Sequence, residues 1–553
     1  MLRLRAVPPV LVPTAVLGVH GAAYGRWTID DAAITFAYAR SLTSGHGPVL
    51  QPGAEPVEGY SNPAWLAVLS VGRLVGLFDS GAWFGLPDYA AFPKAVALLL
   101  AAGMFAAVYL VADALTERPG LVTVAAGTLT ALVPSFAIWV FSGLENPLLG
   151  FAVVALAAVL VRAVVGGRLL TTRAAVTAGL LAALAGLTRP DGMIYAAAFP
   201  LVALLFLRGW RPAVKPVLLS VVAFAVPVGA YVAWRWAVFG ALLPNTALAK
   251  SQGVPSPQDL VKPATMVGYV GWLTLLVGVV LVGAALPRPS KERDGLLALL
   301  VPLGLAVVAF GVLAADWMPQ FRFATPVWPL AAVAAVVGGS LVVGGLATRG
   351  KVAVGVLAVL GLAHSVTLWW ADMDRFRTGP TVPTCVIAQA VGWEFNAYAD
   401  LLGVRDGSLL VPDVGGAALA SDLEILDLAG LAHREIAEFW GDDDMRGLRD
   451  YVFTEARPTF ITAHGNWAGA TGVLADPRLQ RDYALITADR SREKWVRRDA
   501  VPDDGTMALL RVAGDEAARL HAVAAAQPRG SCGDVITADT RFFAERAART
   551  TPR

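Results

Sequence analysis

Charge is what this sequence has least of. Asp, Glu, Lys and Arg make up 16% of its 553 residues, against about 25% in a typical soluble domain. A chain this long with so few charges, and with 56% hydrophobic residues, cannot cover an ordinary globular surface with polar groups. It reads as a multi-span membrane protein. The formal net charge of +2 and the lack of a basic run interleaved with aromatics exclude a nucleic-acid partner. Cysteine and histidine are scarce too. Two cysteines and six histidines show no zinc-type spacing, so no metal site is expected. The Gly415-Gly416 turn lacks the GxGxxG spacing of a dinucleotide site.

What is present is a series of long apolar runs. They lie near 7–24, 93–115, 120–141, 147–165, 174–187, 191–207, 217–239, 265–286, 296–315, 325–346 and 352–370, each about 20 residues or slightly fewer. A further run at 63–78 is short and interrupted by Arg73. If it lies flat on the surface, alternate loops collect the basic residues: Arg118, then Arg162, Arg168 and Arg173, then Arg208, Arg211 and Lys215, then Arg288, Lys291 and Arg293, then Arg349 and Lys351. Counting it as a span would move every cluster outside. About eleven spans with an interfacial helix at 63–78 is the better topology. Reading the first run as a cleaved signal peptide leaves the later topology unchanged.

The expected fold is thus an α-helical polytopic membrane domain over 1–370, with its first external loop at 25–92. An extracytoplasmic α/β domain follows over 371–553. Runs at 408–412, 423–428 and 507–512 read as strands there, and 430–440 and 514–524 as amphipathic helices.

Right after the first run comes Arg26-Trp27-Thr28-Ile29-Asp30-Asp31. Two adjacent carboxylates at the mouth of a span are costly near hydrocarbon and mark a functional site. A helix cap is the plain alternative. Other polar residues fall on the same expected outer face: Glu145, Arg189, Asp191, Lys250, Asp316 and Arg322, with Arg235 in the outer turn of its span. Trp27, Trp65, Trp317 and Trp328 suit either ring stacking on a sugar or anchoring at the membrane surface.

These residues sit in ordered blocks: Ile29-Asp30-Asp31, Gly45-His46-Gly47-Pro48-Val49, Asn62-Pro63-Ala64-Trp65, Ser142-Gly143-Leu144-Glu145, Arg189-Pro190-Asp191, Gly240 through Lys250 with Asn245, and Asp316-Trp317 through Arg322. In them the chain resembles the polyprenyl-phosphate-sugar glycosyltransferases of the GT-C fold, most of all the actinobacterial terminal arabinofuranosyltransferases. The resemblance is good over roughly 20–330 and only outline in the tail. It departs from the pattern at Asp191, where Glu is usual, and in lacking Gly-Gly before Asp316.

The resemblance implies transfer of arabinofuranose from decaprenyl-phosphoryl-arabinose to a cell-wall arabinan at the outer face of the plasma membrane. A donor carrying mannose or glucose is the alternative, and a lipid-linked sugar transporter a more distant one. Asp30 or Asp31 is then the general base, with Asp30 preferred. Lys250 and Arg322, with Arg189 and Arg235 in reserve, meet the donor phosphate. Glu145, Asp191, Asp316, Asn62, Asn245, Trp27 and Trp317 contact sugar or hold the basic groups. A divalent cation at the Asp pair is left open. An exported tail sits in an oxidising compartment, where Cys385 and Cys532 are expected to pair. The topology is tested with fused reporters. One placed after residue 371 should be active only outside the cytoplasm, and those near 166 and 291 only inside. A cytoplasmic tail overturns the assignment.

Overall fold

The computed structural model describes residues 6–207, 209–250, 261–313, 316–488 and 492–525. It divides into two compact units. Unit 1 comprises Met1–Gly25, Pro93–Trp234 and Gln252–Thr381; unit 2 comprises Arg26–Phe92, Arg235–Ser251 and Val382–Arg553. The division expected at 370/371 follows sequence order, whereas this one follows contacts and groups the first loop with the tail.

Six helices among the described residues are long and apolar enough to cross a membrane, and eight spans result if each of two bent pairs is one. The expected spans at 7–24, 174–187 and 191–207 are the shorter apolar helices Val7–Ala22, Thr172–Thr188 and Pro190–Leu205. Those expected at 120–141 and 265–286 are the bent pairs. Pro119–Leu132 turns by 79° into Pro134–Val140, and Val261–Val270 by 96° into Trp272–Ala285. Each bend has a local cause. Proline lacks an N–H and keeps the preceding residue out of the helical region, and Val133 is accordingly extended at ψ 115°. Gly271 takes φ 87°, which side chains resist. The bends free backbone groups that must find partners. The Ser135 N–H donates to the Tyr269 hydroxyl at 2.9 Å, which ties one bend to the other inside unit 1.

Unit 2 carries a five-stranded sheet made of β1 (Ser408–Val411), β2 (Glu424–Asp427), β3 (Phe460–His464), β4 (Tyr483–Ala488) and β5 (Arg492–Arg497). Their order is β2-β1-β3-β5-β4. β1 is parallel to both β2 and β3, whereas β5 is antiparallel to β3 and β4. Leu410, Ile461, Leu448, Val452 and Tyr483 form part of its core. The strands expected at 408–412 and 423–428 are β1 and β2. The one expected at 507–512 is instead part of the helix Asp504–Ala525. Its buried positions, 507, 510, 514 and 517, recur at helical spacing, and a six-residue apolar run cannot reveal that period by itself.

The helix Asp504–Ala525 is tied to the unit by a buried charge cluster. The Glu394 carboxylate, fully buried, accepts from the Lys494 ammonium at 2.5 Å and the Tyr398 hydroxyl at 2.5 Å, and lies 2.7 Å from His521 Nε2. Burial pushes Glu394 up, but the His521 bond and the Lys494 charge outweigh it and hold the carboxyl below its ordinary value. A depressed carboxyl stabilises the fold above its unfolded pKa and loses that contribution as pH falls. Unfolding in acid should therefore ease below the ordinary glutamate value of 4.5. Glu394→Gln leaves Lys494 without a buried counter-charge and should cost about 3 kcal/mol at neutral pH. It should also flatten the acid limb in thermal melts. A variant with unchanged melting at pH 7 and an unchanged acid limb contradicts this.

Candidate functional site

Asp30 is the first residue of the helix Asp30–Thr43. The chain enters it as extended backbone, where Thr28 and Asp30 pair with Thr384 and Val382 (Asp30 N to Val382 O 2.9 Å, Thr384 N to Thr28 O 3.0 Å). This pairing aims the Asp30 carboxylate at the turn after β1. Oδ2 accepts from the Gly415 N–H at 3.1 Å and Oδ1 from the Gly416 N–H at 2.7 Å. Only glycines permit so close an approach: a Cβ on Gly415 would lie 2.0 Å from the Asp30 carbonyl oxygen, and one on Gly416 2.3 Å from the Thr384 carbonyl oxygen. The Gly-Gly turn, unsuited to a dinucleotide, thus seats a carboxylate of the chain itself.

Three residues that sequence reasoning passed over lie around this turn. Asp413 follows β1, His464 ends β3, and Arg492 opens β5 opposite His464 in the ladder. Asp413 Oδ2 lies 2.7 Å from His464 Nε2 and accepts from Arg492 at 2.5 Å. Burial pushes Asp413 up, yet His464 and Arg492 outweigh it and hold the carboxyl below its ordinary value. Asp30 goes the other way. Burial first, then the nearby Asp413 charge, push its carboxyl well above its ordinary value, against the pull of the Gly415 and Gly416 amides. Asp31 is half-buried.

Elsewhere in unit 2 the expected binding residues are largely engaged. Arg235 donates to both Glu58 carboxylate oxygens and to the Leu242 carbonyl at 3.0 Å, so its guanidinium is already matched by a carboxylate. Glu58 is another residue that the sequence did not single out. The Asn245 amide donates to the Gly430 carbonyl at 2.7 Å and to Leu431 and His433, which ties 235–251 to the segment after β2. Asn62 accepts from the Thr35 hydroxyl. Trp27 and Trp65 are each 1% exposed and belong to the core, where neither stacking on a sugar nor membrane anchoring is open to them. Lys250 is exposed at the end of the helix Asn245–Ala249.

Unit 1 gathers the remaining residues. Arg189 reaches Glu145 and Asp191, each at 2.9 Å. Arg322 Nε lies 2.7 Å from Asp316 Oδ2, though out of hydrogen-bonding alignment. Both guanidiniums sit over the Phe323 ring, at 4.6 and 4.8 Å from its centroid, which suits a delocalised cation. The carboxylates therefore hold the arginines. Asn146 anchors the loop from below by donating to the Arg322 carbonyl and Thr325 hydroxyl at 3.1 and 2.9 Å. Trp328 bonds Ser135 within the helix core, and Trp317 is half exposed. Among the described residues no group of three or more His, Cys, Asp or Glu is placed to hold a metal ion. Cys385 is disulfide-bonded; its expected partner, Cys532, lies outside the described residues.

No family model matches the chain. A curated relative, a terminal beta-(1->2)-arabinofuranosyltransferase of Mycobacterium tuberculosis, is 31% identical over 338 residues, 55% of this chain and 50% of that protein. The chain thus matches about half the length of that relative. Among solved structures, ArnT from Cupriavidus metallidurans bound to undecaprenyl phosphate superposes with a TM-score of 0.53 at 14% identity, covering 89% of this chain and 99% of ArnT. The oligosaccharyltransferase AglB from Archaeoglobus fulgidus, in complex with an inhibitory peptide and a dolichol-phosphate, gives 0.51 at 11% identity, covering 90% of this chain and 75% of AglB. The chain is a mostly helical membrane protein that shares the fold of ArnT and AglB, and in sequence it is similar to a terminal arabinofuranosyltransferase.

Proposed function

We propose that this protein is a membrane glycosyltransferase that moves arabinofuranose from a polyprenyl-phosphate donor to an arabinan acceptor on the outer face of the plasma membrane. In this reading the tail is extracytoplasmic and the chain has about eleven spans. The observation that carries the reading is the seat of Asp30, which supplies a carboxylate with the properties of a general base. Two amides orient it, and burial with the Asp413 charge raises its affinity for a proton, the tuning that proton transfer near neutral pH requires. The similarity to an arabinofuranosyltransferase over half of the chain supports the choice of sugar.

The reaction then runs as follows. The acceptor hydroxyl gives its proton to the Asp30 carboxylate as its oxygen bonds to the anomeric carbon of the donor sugar. The bond from that carbon to the phosphate oxygen breaks, and polyprenyl phosphate leaves with the electron pair. The leaving phosphate needs a cation. Each unit taken by itself offers a candidate: in unit 1 Arg322, whose Nε is poorly aligned with Asp316 so that a phosphate oxygen would complete its bonding, and in unit 2 Lys250, which is exposed. Arg189 and Arg235 are held by carboxylates and position their surroundings. A cavity of about 460 Å³ in unit 1, lined by Leu129, Val133, Met266, Val270 and Leu303 among others, suits the apolar chain of the donor. On the helix Pro63–Leu74 of unit 2, Val71 and Leu74 are exposed, in keeping with a helix lying on the bilayer surface.

The test is transfer from radiolabelled decaprenyl-phosphoryl-arabinose, run beside polyprenyl-phospho-mannose and -glucose. Asp30→Asn should lower turnover by about 10²–10⁴-fold. It also sets an NH2 against a Gly415 or Gly416 N–H, so folding is checked in parallel. Asp31→Asn should keep more activity, and Arg322→Ala should raise the donor KM. The wild-type rate should fall in acid with a midpoint above the ordinary aspartate value of 3.8. Full transfer by Asp30→Asn rejects the base. Transfer of mannose or glucose but not arabinose rejects the sugar. Movement of the labelled lipid without transfer indicates a transporter.

A further inference from the structure

β1 pairs on one side with the next strand, β2, and on the other with β3. The chain therefore leaves β1 in one direction and returns on its far side. In open parallel sheets the crevice outside the carboxyl ends of two such strands is where ligands bind. Here those ends are Val411 and His464. The two amides that would meet an anion at the first turn, Gly415 and Gly416, are taken by Asp30. The crevice is thus closed to a phosphate at that point. Beside it stand Asp413, His464 and Arg492, whose side chains stay 13%, 27% and 17% exposed.

We propose that Asp413, His464 and Arg492 form the subsite of unit 2 that holds the acceptor sugar, next to the base. This rests on the glycosyltransferase reading above. The chemistry favours a neutral polyol. Asp413 and Arg492 offset each other, and the Asp30 carboxylate beside them adds negative charge, so an anionic ligand gains nothing here. A planar guanidinium, an imidazole and a carboxylate fixed to one another present donors and acceptors in the geometry that vicinal hydroxyls match. Both contacts to Asp413 fall on Oδ2, so Oδ1 faces no competition from them for a sugar hydroxyl. The acceptor is the partner assigned, rather than the donor sugar, because the group a base touches is the hydroxyl it deprotonates. Asp413, His464 and Arg492 therefore bind and orient, while Asp30 accepts the proton.

The experiment uses the full-length protein in nanodiscs with a synthetic arabinofuranosyl tetrasaccharide as acceptor. Steady-state constants are measured for His464→Ala, Arg492→Ala and the milder His464→Gln, with thermal melts to confirm folding. The expected result is an acceptor KM raised about tenfold or more by each alanine variant, the scale of a lost hydrogen bond to a charged group. The donor KM should stay within about twofold, and His464→Gln should recover part of the acceptor affinity. Equal losses on donor and acceptor, or an unchanged acceptor KM in a folded variant, overturn the subsite. Should the wild type transfer no sugar, the functional reading fails by itself. The subsite is then judged by tetrasaccharide binding in ligand-observed NMR: binding that His464→Ala abolishes upholds it, and binding that the variant retains, or none in the wild type, overturns it.

Discussion

A carboxylate taken out of water must find donors, and for Asp30 they are the two amides at Gly415 and Gly416. Much of unit 2 follows from that need. The amides are available only because both positions are glycine, which lets the start of the helix Asp30–Thr43 touch the turn after β1. The extended pairing of 28–30 with 382–384 sets the angle of entry. The side chains around the turn then settle the charge: Asp413 is bound by His464 and Arg492, whereas Asp30 is bound by two amides. Two aspartates in one crevice are thus driven to opposite protonation tendencies by their partners.

Unit 1 solves a related problem with the signs exchanged. Two arginines buried among helices need counter-charges, and Glu145, Asp191 and Asp316 supply them. The aromatic face of Phe323 takes the remaining guanidinium surfaces. The loop that brings Arg322 there is held through its backbone, since the Gln320 carbonyl accepts from Ser135 and Trp139 at 2.6 and 2.8 Å. The Ser135 N–H, which the break at Pro134 frees from the helix, bonds the Tyr269 hydroxyl.

The membrane class and the long apolar helices were legible because extended apolar runs with few charges are conspicuous. The same contrast hid the rest. In the tail charges are ordinary, so Asp413, His464, Arg492 and Glu394 look like any surface residues until the strands bring them together. Glu58 escaped notice for the same reason within a polar loop, although it decides what Arg235 can do. The bend at Pro134 has a visible cause, whereas that at Gly271 sits in a run where glycine is common and its φ cannot be read. The stretch at 507–512 is helical although it reads as a strand, because so short a run, apolar but for Arg511, fits a strand as well as a turn of helix.

The discontinuity of unit 2 bears on its biosynthesis. Its three stretches are separated by about half of the chain, and the Asp30 carboxylate bonds to amides 385 and 386 residues further on. A polypeptide emerging from the ribosome makes Asp30 385 and 386 residues before its two partners. Until those amides exist the carboxylate lacks the donors that its buried place requires. Local helices form early, but a contact of such long sequence separation forms late. A message truncated before codon 416 therefore yields a protein with many of its hydrophobic segments in place and no seat for its acidic pair. Quality control that surveys exposed charge beside the bilayer has a ready mark by which to tell such a fragment from the finished chain.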